Sequence, residues 1–103
     1  MASGILGQAE GDDSNTVVYT VPASTLAVVN INVFNKGSAT DVAQLYLLPS
    51  GDTLADKHYI EEVSLETKNV LERTNIVLEA GAKVGFNASA DTVVTVQGIE
   101  ESV

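Results

Sequence analysis

The chain has 103 residues, 45% of them hydrophobic, with no cysteine and a formal charge of −9 from 14 acidic against 5 basic residues. That length holds one domain with a single two-layer core, which must be largely aliphatic because the aromatics are only Tyr19, Phe34, Tyr46, Tyr59 and Phe86. The absence of cysteine excludes disulfide frameworks, thiolate metal sites and thiol nucleophiles, and the acidic balance repels phosphate backbones and anionic lipid, so neither nucleic acid nor a membrane is an expected partner.

The first residues, Met1 to Gly7, lack the basic start and long apolar stretch of a signal peptide, and no apolar run approaches the roughly 20 residues of a membrane span. Synthesis in the cytosol is expected. From Gly7 to Thr16 the chain is rich in Gly, Gln, Asp, Ser and Asn, too polar to order itself alone. Residues 1–15 therefore read as a flexible N-terminal arm ahead of a folded domain over 16–103. Ile5 and Leu6 are its apolar pair; inserted into a partner's groove they contribute roughly 1.5–3 kcal/mol each. The alternative is a frayed terminus with no role.

From Thr16 onward the apolar period is two. Val17, Val18, Tyr19 and Val21 form a strand that Pro22 ends, which suits an edge position, and the arm leads into it. Ala27, Val29, Ile31 and Val33 share one face of the next strand, with Asn30 and Asn32 on the other. Asn35-Lys36-Gly37-Ser38 has turn chemistry. Ala43, Leu45 and Leu47 then point inward, while Val42, Tyr46 and Leu48 make the outer face apolar too and in need of cover. Pro49-Ser50-Gly51-Asp52 closes that strand, and Leu54 to His58 reads as one helical turn or an irregular crossing.

Tyr59, Val63 and Leu65 alternate on one side of a further strand, interrupted by Glu61. A helix over Ile60 to Arg73 is the competing reading, opposed by the β-formers Tyr59, Ile60, Val63 and Thr67. Val70 to Leu78 reads as a bent or bulged strand. Glu79-Ala80-Gly81 is a tight reversal into Ala82 to Ala88, and Ser89-Ala90-Asp91 leads into a last strand from Thr92 to Glu100. About seven short strands joined by Gly, Asn and Asp turns predict an all-β fold, a single small β-sandwich of immunoglobulin-like or jelly-roll type.

Residues that carry chemistry are sparse. His58 is the single histidine, and a triad with Ser50 or Ser64 and Asp56 lacks the nucleophile turn that presents such a serine, so His58 reads as a solvated loop residue. Glu61 and Glu62 are adjacent in a strand and point to opposite faces, which is poor geometry for an acid/base pair. Asp12-Asp13, or Asp52 with Asp56, offer carboxylates to a calcium ion without the spacing of a calcium loop. No phosphate loop and no basic stripe is present. The expectation is a non-enzymatic protein with no catalytic, cofactor or metal residues.

Several segments together resemble small virion structural proteins of tailed bacteriophages, especially phages of aquatic bacteria. They are Ile5-Leu6-Gly7-Gln8, Val18-Tyr19-Thr20-Val21-Pro22-Ala23, Val33-Phe34-Asn35-Lys36-Gly37-Ser38, Tyr59-Ile60-Glu61, Val70-Leu71-Glu72-Arg73-Thr74, Leu78-Glu79-Ala80-Gly81-Ala82-Lys83-Val84 and Val94-Thr95-Val96-Gln97-Gly98-Ile99-Glu100. The resemblance spans nearly the whole chain and rests on the order of short segments. It implies a small β-sandwich, present in many copies, that decorates or cements a capsid or sits among tail components.

The leading expectation is a capsid decoration or cement protein, made in the host cytoplasm and residing in the virion. It binds the major capsid protein where capsomers meet and self-associates, with a trimer favoured because such sites lie on symmetry axes. The expected contact residues are Ile5 and Leu6 of the arm and Val17, Val18, Tyr19 and Val21 of the edge strand, and lateral strand addition between copies is an expected mode of assembly. The alternative is a tail- or fibre-associated module that binds a receptor or glycan, for which Tyr46 and Tyr59 are the available aromatics.

Overall fold

The computed structural model describes residues 3–103 as eight strands: β1 (Ser3–Glu10), β2 (Asn15–Thr20), β3 (Thr25–Asn35), β4 (Asp41–Leu48), β5 (Tyr59–Leu65), β6 (Val70–Leu78), β7 (Lys83–Asn87) and β8 (Thr92–Ser102). The helical alternative over 60–73 does not form; a single 3₁₀ turn, Asp56–His58, precedes β5. Two antiparallel four-stranded sheets stack as a sandwich, sheet A in the order β1-β8-β3-β6 and sheet B in the order β2-β7-β4-β5. All connections except β4 to β5 cross from one sheet to the other. This strand order is that of a jelly roll, which decides between the two sandwich types left open by the sequence.

The core lies between the sheets. Ala27, Val29, Ile31 and Val33 of β3 meet Val94 and Val96 of β8 on one side and Leu45, Val84 and Phe86 of sheet B on the other. Their alternation with half-buried or exposed neighbours follows from the pleat, which sends successive side chains to opposite faces. Asn35, fully buried at the end of β3, is tolerated because its amide is satisfied: Nδ2 donates to the carbonyls of Ala39 (2.8 Å) and Leu65 (2.9 Å), and Oδ1 accepts from the Gly37 amide (3.0 Å).

Asp41 performs a similar task at the start of β4. It accepts hydrogen bonds from the hydroxyl and amide of Ser89 (2.8 and 3.2 Å) and from the buried Thr92 hydroxyl, tying β4 to the β7–β8 turn. Burial acts to raise the Asp41 carboxyl, but the bonds from Thr92, Ser89 and the Val42 amide together outweigh it and hold the group below the usual carboxylate range.

The expected arm is corrected over its described part. Residues 3–10 are β1, hydrogen-bonded along β8 as an edge strand of sheet A, so the sandwich begins at Ser3 and not at Thr16; Met1 and Ala2 lie outside the described residues. Polar composition does not keep this segment free because β8 supplies the hydrogen bonds, and Leu6 and Ala9 pack against the core. At Gly7, β1 passes close to β2: an added Cβ would lie 2.4 Å from the Val18 carbonyl oxygen.

Candidate interaction surfaces

All four edge strands are irregular. The β1–β8 pairing slips between Ile5 and Gly7, and the β2–β7 pairing slips between Val17 and Tyr19. In β6 two residues, Thr74 and Asn75, interrupt the pairing with β3, and Asn75 adopts a left-handed conformation (φ 59°) supported by its amide bond to Asn30 Oδ1. Along β5 the register shifts between Tyr59 and Glu61, and Glu61 points inward opposite Leu45. Bulges and inward charges are the devices that keep edge strands from pairing with other chains.

Glu61 interrupts the apolar stripe of β5 for a specific reason. Arg73 of β6, inward opposite Ile31, donates to Glu61 Oε1 through Nε (3.0 Å) and Nη2, bridging the edges of the two sheets. The pair is partly exposed, so its contribution is modest and its main effect is to close this side of the sandwich with groups that repel a docking strand.

The outer face of sheet B is covered by the chain itself only around Tyr46, while Val17 and Val42 stay exposed on it. Tyr46 is opposite Gly85, its ring lies where a Gly85 side chain would be, and it is only 2% exposed. Tyr59 packs edge-on against it with centroids 5.6 Å apart. Burial, and secondarily Tyr59, raises the Tyr46 phenol above its ordinary value. Of the three residues expected to need cover, Tyr46 and Leu48 are covered from within, alongside the segment 49–58, whose 3₁₀ turn packs on β4, and Val42 stays 52% exposed.

His58 anchors that segment and is corrected from a solvated residue to a buried one. Its Nδ1 accepts the Ala55 amide (2.9 Å), which leaves Nε2 to donate to Asp52 (3.2 Å). Both ring nitrogens are thus engaged within the loop, and the carboxylate that meets the ring is Asp52, not the Asp56 of the triad drawn from sequence. Asp12 is likewise occupied: it accepts from the Ser14 hydroxyl (2.7 Å), the Thr16 hydroxyl (3.1 Å) and the Ser14 amide, bonds that lower its carboxyl. Among the described residues no group of three or more His, Asp or Glu forms a metal-binding cluster.

The outer face of sheet A is different in kind. One row across it is Ser3, Ile99, Val28 and Val77, and the next holds Ile5, Gln97 and Asn30. Ile5 is 63% exposed, Val77 64% and Ile99 47%, so an apolar stripe crosses β8, β3 and β6, with Ile5 of β1 diagonal to its Ile99 end. Beyond it come Gln8, Thr95 and Asn32, then Val93 and Phe34. Acidic groups occur only around this area, at Glu10, Glu72 and Glu101. A shallow depression of about 420 Å³ lies between Gln8, Glu10, Val93 and Thr95.

The residues singled out from sequence do not converge on one site. Ile5 is on the outer face of sheet A and Val17, 45% exposed, on the outer face of sheet B. Leu6 and Val18 pack against the protein's own core, and Tyr19 and Val21 are buried in it. The Tyr19 hydroxyl donates to Glu100, and burial first, then that bond and the nearby charge, raise its phenol. In the single chain, Leu6, Val18, Tyr19 and Val21 thus face the protein's own interior. The stripe of Ile99, Val28 and Val77 was missed because it emerges only when β1, β8, β3 and β6 are set in register. A scan against protein-family models and a search of curated proteins both find no match to this chain.

Proposed function

We propose that this chain is a non-enzymatic structural protein of a bacteriophage virion, a capsid decoration or cement protein that attaches to the major capsid protein in many copies. The observation that carries this reading is the outer face of sheet A: four strands wide, free of charge at its centre and crossed by an exposed apolar stripe, in a chain of net charge −9. An acidic body stays soluble and apart from DNA, while a neutral face is where protein contact costs least desolvation. The jelly roll supports the reading as a fold used for shell and lectin modules, although a fold alone assigns no function. Many weak, repeated contacts on a symmetric shell add to firm attachment.

The test is cosedimentation with empty shells assembled from the capsid protein of the same phage. Saturable binding at a fixed stoichiometry is the expected result, and shells that sediment without the chain at every concentration would overturn the proposal. The glycan-binding alternative loses one of its two aromatics, because Tyr46 is buried beneath Tyr59.

A further inference from the structure

We infer that His58 is a proton-operated latch: its neutral ring holds the segment 49–58 against β4, and protonation of the ring releases that segment while the sandwich stays folded. The inference stands apart from the decoration role and rests on how the two ring nitrogens are used. Nδ1 accepts the Ala55 amide (2.9 Å) and Nε2 meets Asp52 Oδ2 (3.2 Å), so the tautomer that serves both carries its hydrogen on Nε2. An imidazolium carries hydrogens on both nitrogens, and the one on Nδ1 would point at the Ala55 N–H. Closure of the segment and protonation of the ring therefore oppose each other.

The competing effect is the ion pair that protonation would create with Asp52. That side chain is 43% exposed, whereas the imidazole is 5% exposed. A half-exposed pair contributes little, and a charge kept in a buried site beside an unpaired amide costs more. The other charged groups nearby supply no better counter-ion. Asp56 and Lys57 precede the ring in the 3₁₀ turn and carry opposite charges. β4, on which the turn packs, has Asp41 as its one carboxylate, tied to Ser89 and Thr92 at the far end of the strand. β5 brings Glu61, engaged by Arg73, and Glu62, bonded to Gln44. Lys83 of β7 is opposite Leu48, and Glu79 enters the turn whose Gly81 lies close to Ser50. Among the described residues, Asp52 is the charged group in contact with the ring.

Release is local because the latch is built from the segment's own parts. Besides the two ring bonds, the Asp52 amide donates to the Pro49 carbonyl (3.2 Å) and the His58 amide to the Ala55 carbonyl (3.0 Å). The segment joins β4 to β5 within sheet B, so none of the crossings between the sheets depends on it. Opening bares the part of β4 that the turn covers and leaves the core between the sheets in place.

Amide exchange followed by NMR between pH 7.5 and pH 5 tests this, with each rate divided by that of an unstructured amide at the same pH. Imidazole free in water takes a proton near pH 6.5, while carboxylates and phenols ordinarily titrate outside this window. One proton gained on release therefore raises the opening equilibrium by about 10–30-fold across it. The expected result is a fall of that size in the protection of the Ala55 and His58 amides, with β3 amides unchanged. Ring nitrogen shifts of the wild type should show the hydrogen on Nε2 at pH 7.5 and on both nitrogens at pH 5, with the same midpoint as the loss of protection. His58→Asn removes the titrating group, so its protection should not vary with pH, whereas Asp52→Asn keeps an acceptor for Nε2 and should retain the fall. Wild-type protection that does not change with pH, a fall shared by β3, or an equal fall in His58→Asn would overturn the inference.

Discussion

Replacing Gly85 with alanine sets a methyl group into the ring of Tyr46. The new Cβ would lie 2.1 Å from Cζ, 2.3 Å from the hydroxyl oxygen and 2.5 Å from Cε1, where carbon atoms ordinarily settle at about 3.5–4.0 Å. The ring must therefore move by more than about 1 Å, yet it is almost fully buried and Tyr59 stands against it. Overpacking of this kind costs about 1–3 kcal/mol, and loss of the edge-on aromatic contact adds about 0.5–1.5 kcal/mol. The sum, about 1.5–4.5 kcal/mol, is a large part of a small domain's stability.

Equilibrium unfolding in urea measures this as a lower midpoint with an unchanged slope. A double-mutant cycle isolates the cause: in a Tyr46→Ala background the same Gly85→Ala change should cost less than about 0.5 kcal/mol, since the clash is gone and alanine suits a strand better than glycine. A Gly85→Ala protein as stable as wild type, or an equal cost in both backgrounds, would refute the view that Tyr46 covers sheet B from within.

Asp41→Asn should destabilise by about 1–3 kcal/mol at neutral pH. Because the folded state lowers the Asp41 carboxyl, its stabilisation is fully present above the unfolded pKa of about 3.9 and is lost as pH falls through the lower folded value; the gap between wild type and variant should accordingly close below about pH 4, which acid titration of the unfolding free energy checks. Asn35→Leu strips partners from the carbonyls of Ala39 and Leu65, the latter bond buried, and from the Gly37 amide, with an expected loss of about 2–3 kcal/mol by urea unfolding. His58→Ala frees the Ala55 amide and Asp52, and the expected effect is local: faster proteolysis and amide exchange over 49–58, with the exchange of β3 amides little changed.

The legible parts of the fold were those written in local alternation. Ala27 to Val33 declared their inward face because each residue's neighbours are polar or differently placed, and the turns at Asn35, Pro49, Glu79 and Ser89 carry their own chemistry. β1 was hidden since nothing in Gly4-Ile5-Leu6-Gly7-Gln8 stands as a strand by itself; the pairing with β8, distant in sequence, makes it one. Glu61 looked like an error in a stripe until Arg73 arrived from the other sheet. His58 read as a polar loop residue because the bonds that permit its burial come from its own loop's backbone and Asp52. The sheet A stripe was illegible for a similar reason: Val28, Val77 and Ile99 are unremarkable singly, and register joins them.

Quantitative mass spectrometry of purified virions tests the decoration role most directly. The chain should be present in a fixed ratio to the major capsid protein, with many copies on each particle, and should remain after washes that remove loosely bound host protein. Its absence from the particles, or a trace abundance far below that of the capsid protein, would contradict the proposed function.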